Sequence, residues 1–331
     1  MENSTKWVAP MAAAMIMSLS AAAPAAAACQ MLQIAELDVT VQNNMPVVPV
    51  TIDGQSVQMI LDTSYTRTQV SRSAAKDLHL KLRPSVVSFY GPRGLDVADM
   101  AIVRDFAFAG SMAHQFSIYV TGQVGSTGNV VGVIGEDVLS HFDIEFDLRS
   151  RKIRFFAPKD CKGDQVAYWA HDYFVVDLTH TAVPDLPLFD VMLDGRKVLA
   201  TLSSGDPQST VTTQALGLSG IKPESAVQAA GAMEGVSEKP INSSVVVIPS
   251  LTIGQETLQN AKLRIAGPYS RYGMARFESQ LDHRAFVEPD LEVGGDFFLA
   301  HRIYLARSER KIYFTYNGGP YLPAAAPPTS P

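Results

Sequence analysis

Two short stretches hold the side chains best suited to chemistry: Ile60-Leu61-Asp62-Thr63-Ser64 and Thr201-Leu202-Ser203-Ser204-Gly205. The first offers a carboxyl, Asp62, followed by two hydroxyls, and a carboxyl can take or give a proton in a reaction. The second has the same outline with Ser203 in the acid's place, and a serine hydroxyl is neither a base nor a useful acid near neutral pH. The first keeps an Asp and lacks a Gly; the second keeps the Gly and lacks the Asp.

Other chemistries find no support in the chain. The seven histidines (79, 114, 141, 171, 180, 283 and 301) show no metal-ligand spacing, so no metal is expected. Ser73-Ala74-Ala75-Lys76 matches a Ser-x-x-Lys pattern without the Lys-Thr-Gly or Ser-Asp-Asn that should accompany it, and it reads as helix surface. There is no Gly-x-Ser-x-Gly and no phosphate-cradling glycine loop, so no cofactor is expected. A net charge of -6, with 47% hydrophobic and 18% charged residues, fits a globular protein with sizeable cores and gives no reason to expect nucleic acid as a partner.

The elements that must position Asp62 and Ser203 are repeated. An offset of 141, that between Asp62 and Ser203, lays residues 34–72 over 175–213 without a gap and brings Asp53-Gly54 onto Asp194-Gly195. An offset of 159 then lays Ile134-Gly135-Glu136-Asp137 over Val293-Gly294-Gly295-Asp296, and Arg151-Lys152-Ile153-Arg154-Phe155 over Arg310-Lys311-Ile312-Tyr313-Phe314. A period this long reads as a duplicated domain rather than a solenoid. The expected organisation is a first lobe over 29–165 and a second over 166–316, preceded by a leader and followed by a disordered Pro- and Ala-rich tail, 317–331.

The leader, 1–28, has Lys6 ahead of an Ala-rich apolar run and small residues at Ala26 and Ala28, the pattern of a signal peptide. No other stretch is long and apolar enough to span a bilayer, so the mature chain is expected in the periplasm or outside the cell. In such an oxidising compartment Cys29 and Cys161 suggest a disulfide joining the ends of the first lobe. Ala26-Ala27-Ala28-Cys29 leaves lipidation of Cys29 as an alternative, although the usual upstream Leu is missing.

The coarse pattern is mostly strand. Short β-branched or aromatic runs at Val47–Ile52, Val57–Leu61, Ile102–Phe108, Ile144–Asp147 and Ile153–Phe156 are separated by turn signals, and the second half repeats them. Short helices are expected at Ser71–Leu78, Val138–His141, Thr212–Leu218 and Phe297–His301. The fold class is all-β, with small closed barrels.

Each lobe resembles the retropepsin-like, pepsin-superfamily aspartic protease unit. The resemblance rests on the hairpin ending in Ile60-Leu61-Asp62-Thr63-Ser64 and on Val133-Ile134-Gly135 followed by a short helix, both occurring twice at matched spacing across residues 34–316. It implies two lobes meeting with their Asp loops face to face beneath a cleft that takes an extended polypeptide, here as a monomer containing an internal pseudo-dimer. It also implies two carboxyls sharing a proton, one acting as base toward water and the other as acid toward the peptide. Carried over by position, Asp62, Thr63, Ser64 and Ser203 are the catalytic-loop residues. Asp206 either stands beside the carboxyl as a displaced acid or opens a turn before Pro207. Tyr90 and Gly91 in the first lobe and Gly231 in the second fall where each unit's flap should close over substrate, though they also read as ordinary turns. Two functions follow: an exported aspartic endopeptidase with Asp62 as principal acid, or a non-catalytic homologue whose cleft binds peptide-like ligands. Pairing of two first lobes from separate chains is a further route to a second Asp62.

Overall fold

The computed structural model describes residues 29–91, 94–122, 129–159, 161, 166–179, 186–222, 228–233, 241–266, 275–277 and 289–318. The expected leader, 1–28, lies outside these residues, as does most of the expected tail. Asn317 and Gly318 are within them. The Asn317 N–H donates to the Ala300 carbonyl (2.8 Å), and Arg149 donates to the carbonyls of both residues. These bonds anchor the end of the last strand, Lys311–Tyr316, to the residues around it.

The architecture is nearly all β, as expected, with helices of four to six residues at Arg72–Asp77, Glu136–Leu139, Thr213–Leu218 and Gly295–Ala300. The last of these ends before His301, which begins the strand His301–Ala306 instead.

The hairpin that delivers each loop is set by its turn. Asp53 and Gly54 adopt φ of 48° and 82°, and Asp194 and Gly195 of 46° and 77°. Two consecutive left-handed residues make the tight turn whose twist matches paired strands. It joins Met45–Ile52 to Gln55–Leu61 in one half and Leu188–Leu193 to Arg196–Leu202 in the other. Gln55–Leu61 then pairs in parallel with Val130–Ile134, Leu61 opposite Ile134. Arg196–Leu202 does the same with Leu291–Val293, Leu202 opposite Val293. Asp62 and Ser203 each begin where such a parallel pair ends.

Each half closes a barrel. In the first, Met45–Ile52 reaches across to Gly94–Phe108; in the second, Leu188–Leu193 reaches Ile241–Ile253. One strand departs from a clean division between the halves. Ala275–Phe277, late in the chain, pairs with Leu82–Gly91 of the first barrel.

A third sheet, of six strands, is built equally from both halves. At its centre Asp143–Asp147 pairs antiparallel with His301–Ala306, Ile144 opposite Leu305 and Phe146 opposite Ile303. Under the 159-residue offset these two contacts are the same contact seen from each side, which is the signature of a two-fold axis. Strands Lys152–Phe156 and Gln33–Asp38 extend the sheet on one side, and Lys311–Tyr316 and Phe174–Asp177 on the other. One apolar core runs through both halves, including Leu61, Ile134, Phe146, Leu202, Val293 and Phe298. Across the axis the rings of Phe146 and Phe298 meet edge to face at 4.9 Å.

The halves are also joined by charge. Arg307 donates to both oxygens of Glu136, at 2.5 and 2.6 Å, and the Glu136 side chain has no solvent exposure. Replacing Arg307 with Met removes the guanidinium that meets both oxygens of this buried carboxylate, so Arg307→Met is expected to lower the free energy of unfolding by about 3–5 kcal/mol. Urea titration checks this; a loss below about 1 kcal/mol contradicts it.

Candidate active site

Both loops sit at the ends of the buried parallel strand pairs, and each is fixed by backbone bonds of the same kind. The Asp62 N–H donates to the Ile134 carbonyl (3.1 Å) and the Ser203 N–H to the Val293 carbonyl (2.9 Å). The loops then grip each other reciprocally. Thr63 Oγ1 donates to the Leu202 carbonyl (2.8 Å) while Ser204 Oγ donates to the Leu61 carbonyl (2.7 Å). The Thr63 N–H reaches Ser204 Oγ (3.2 Å), and the Ser204 N–H reaches Thr63 Oγ1 (3.3 Å). All are buried, where such bonds are strong and costly to leave unmade.

The next layer is duplicated as well. Asp137 accepts from the N–H and hydroxyl of Thr68 (both 2.8 Å), as Asp296 does from those of Ser209 (2.9 and 2.7 Å). Thr68 and Ser209 in turn accept from the N–H groups of Gly135 and Gly294. The sequence motifs after Ile134 and Val293 thus act as braces for the loop chain after Asp62 and Ser203.

Asp62 is buried and heavily bonded. Its Oδ1 accepts from the Ser64 N–H (2.8 Å) and the Ser64 hydroxyl (2.9 Å), and Ser203 Oγ lies 2.9 Å from Ser64 Oγ. Burial pushes the Asp62 carboxyl above its usual range, and hydrogen bonds from Ser64, the Gly205 N–H and the Ser203 hydroxyl pull it part of the way back.

The two departures seen in the sequence meet here as one. A Cβ on Gly205 would lie 2.4 Å from Asp62 Oδ2 and 2.5 Å from Asp62 Cβ and Cγ. The carboxyl occupies the space that a side chain at 205 would need. On the other side Ser203 is short, and Ser64 fills the room it leaves. Ser64 is not among the residues with a left-handed backbone, so the loop needs no Gly there to bend, and its N–H is presented to Asp62 all the same. An acid therefore faces a glycine, and a serine faces a serine.

Asp206 is neither a plain turn residue nor a direct partner of Asp62. Its N–H donates to the Ser203 carbonyl (3.3 Å) and its carbonyl accepts from Gly295 (2.6 Å), so its backbone does form the turn. Its side chain, however, is hydrogen-bonded to Glu292. Glu292, 6% exposed, is a site residue that the sequence reading missed. It occupies the position matching Val133 in the first half, and an acid inside an otherwise apolar strand signature is the signal that could have found it. Burial and the neighbouring Asp62 and Asp296 charges push the Asp206 carboxyl up to about 7, against the pull of Glu292 and Arg264, and burial pushes Glu292 well above the ordinary range. The site thus holds three acids with Ser203 among them.

Tyr90 and Gly91 lie at the end of the strand Leu82–Gly91, opposite Leu95 and Gly94 in a hairpin. Gly231 lies in Gln228–Met233, paired with Ile241–Ile253. Both expected flap positions are therefore on hairpins, although the tips at 92–93 and 234–240, and the side chains around them, lie outside the described residues. Cys29 and Cys161 are disulfide-bonded, with Cα atoms 4.3 Å apart. Among the described residues no group of His, Cys, Asp and Glu could hold a metal ion.

Residues 48–138, which contain Asp62, its hairpin and the brace at Asp137, match the family described as aspartyl protease. The chain is also similar to the aspartic proteinase from Irpex lacteus, at 11% identity and a TM-score of 0.49, over 87% of this chain and 97% of that one. No curated protein matches the chain. The matched segment carries the Asp62 loop and its repeat carries the Ser203 loop, and the two loops meet where the halves join.

Proposed function

We propose that this protein is an exported aspartic-type endopeptidase acting on an extended polypeptide, with Asp62 as the base and Asp206 as the acid. What carries the reading is the hydrogen-bonded Asp206–Glu292 pair on the lobe that lacks an acid at Ser203. Four hydrogen bonds stabilise the charged form of Asp62, which suits a base, while burial and neighbouring charges push Asp206 up to about 7, which suits an acid. Two acids whose surroundings separate their proton affinities are what a base and an acid require.

The steps balance without any other group. Ionised Asp62 takes a proton from water as the water oxygen bonds to the scissile carbonyl carbon, while Asp206 gives its proton to the carbonyl oxygen. The tetrahedral diol then collapses. Its hydroxyl proton returns to Asp206, Asp62 passes its proton to the nitrogen, and the C–N bond breaks. Both acids end as they began.

The leader at 1–28 and the Cys29–Cys161 disulfide support a periplasmic or secreted protein. The self-complementary central sheet supports a monomer whose halves act as an internal pseudo-dimer. A second reading draws on a different observation. The immediate side-chain partners of Asp62 are the hydroxyls of Ser64 and Ser203, an arrangement that would serve a cleft binding peptide without cutting it.

Peptide-library cleavage measured from about pH 3 to 8 separates the two readings. Activity is expected in an acidic window bounded above near pH 7, where Asp206 loses its proton, with Asp62→Asn and Asp206→Asn each reducing kcat by about 10² to 10⁴. A natural protein that binds library peptides but cleaves none across the whole range rejects the peptidase reading in favour of binding.

A further inference from the structure

Glu292 lies on Leu291–Val293, the strand that runs between Arg196–Leu202 and Thr210–Thr212, with Thr201 opposite it on one side and Thr210 on the other. Thr210 Oγ1 donates to Glu292 Oε2 at 3.4 Å, the Gly295 N–H three residues on donates to the Asp206 carbonyl (2.6 Å), and the Glu292 side chain is hydrogen-bonded to that of Asp206. At the matching places the first half has Tyr65, Gln69 and Val133 for Asp206, Thr210 and Glu292. The braces, hairpins and reciprocal loop bonds all obey the internal symmetry, and this corner does not. It differs on the lobe whose loop has lost its acid.

A carboxyl buried in a barrel strand is expensive where Val fits equally well, so its retention needs a partner to repay it. That partner is Asp206. We propose that Glu292 is a positioning residue for Asp206, its buried carboxyl donating the hydrogen bond that holds the Asp206 side chain at the Ser203 loop, within electrostatic reach of Asp62. The catalytic consequence rests on the peptidase reading above; the positioning does not.

The charged groups around Asp206 are Asp62 from the opposite loop, Glu292 from the neighbouring strand, Asp296 from the helix Gly295–Ala300 and Arg264 from the strand Glu256–Ala266. Asp62 and Asp296 hold the proton on Asp206, whereas Arg264 and the hydrogen bond from Glu292 help it leave. Removing the Glu292 donor destabilises ionised Asp206, so its titration moves to higher pH.

The test pairs Glu292→Val, the residue of the other half, with Glu292→Gln, whose amide can still donate. Carboxyl ¹³C NMR of Asp206 reads the pair with or without turnover. Glu292→Val is expected to move the Asp206 titration up from about 7 by one unit or more, with the alkaline limb of kcat moving alongside it, while Glu292→Gln stays near the natural value. If Glu292→Val does not fold, Glu292→Ala and Glu292→Leu replace it, and thermal melts confirm that the variant read is native. An Asp206 titration that is unmoved in the native apolar variant, or moved equally by Val and Gln, overturns the inference. If Asp206 moves as expected but the natural protein cleaves nothing, the positioning stands and the peptidase reading falls.

Discussion

Ser64→Gly combined with Ser203→Asp will cleave a library peptide at least about 10²-fold faster than the natural protein, and Ser203→Asp alone will not. The reason is steric before it is electrostatic. Asp62 fits only because residue 205 has no side chain, the Cβ position there being 2.4 Å from Asp62 Oδ2. By the internal two-fold relation, an aspartate at 203 meets Ser64 in the same way, and Ser64 does have a Cβ and a hydroxyl. The single variant must push its new carboxyl off its place or displace Ser64 from Asp62, to which Ser64 supplies two of its hydrogen bonds. The double variant rebuilds on the second loop the acid-facing-glycine arrangement of the first. A further buried acid beside Asp62, Asp206 and Glu292 also lowers stability, so its melting temperature should fall even as its rate rises. Equal rates for the single and double variants would show that Ser64 and Ser203 are not coupled.

Removing the disulfide is expected to have the largest effect on stability. Cys29 and Cys161 are 132 residues apart, and the chain-entropy relation for a loop of that length gives about 5 kcal/mol at 25 °C. The folded state gives a second reason. Next to Cys29, Gln30 bridges to Lys159, and the strand Gln33–Asp38 forms the outer edge of the six-stranded sheet against Lys152–Phe156. The bond pins an edge strand that is mostly exposed. The Cys29→Ser, Cys161→Ser double variant should lose about 4–5 kcal/mol in denaturant titrations, with hydrogen exchange accelerated first along Gln33–Asp38. A loss under about 1 kcal/mol would mean that strand pairing alone holds that end of the chain.

Much of the fold was legible because its signals are local and occur twice. Asp53-Gly54 and Asp194-Gly195 fix the turns of the delivering hairpins, and the strand runs before Asp62 and Ser203 alternate into a core that both halves share. The helix ends expected from the sequence lie within two residues of those observed. They slipped where an N-cap or a strand took over, as at Ser71, whose hydroxyl accepts from the Ala74 N–H, and at His301. The strand Ala275–Phe277 was not foreseen, since its partner lies nearly 190 positions earlier and no short pattern announces such a pairing.

In the site, Asp62, Thr63, Ser64 and Ser203 were identifiable by spacing, but what they do to one another was not. That Ser64 compensates for Ser203 depends on which side chains face across the axis, a relation invisible in either loop read alone. Asp206 reads two ways in the sequence, and its structure has something of both: a turn-forming backbone and a side chain in the acid cluster. Glu292 is hidden in the repeat because the halves differ there, Val133 standing at its place in the first.

The central contact of the six-stranded sheet has a consequence for the separated halves. Asp143–Asp147 and His301–Ala306 each find their partner in the other half, Ile144 against Leu305 and Phe146 against Ile303. A fragment ending before the second barrel would carry a naked β-edge, with unmet N–H and C=O groups along a strand that is buried throughout in the intact chain. Such an edge is a template for whatever complementary strand it meets first, including the same strand of another fragment. Covalent continuity between the halves is what ensures that the right strand arrives before a stranger does.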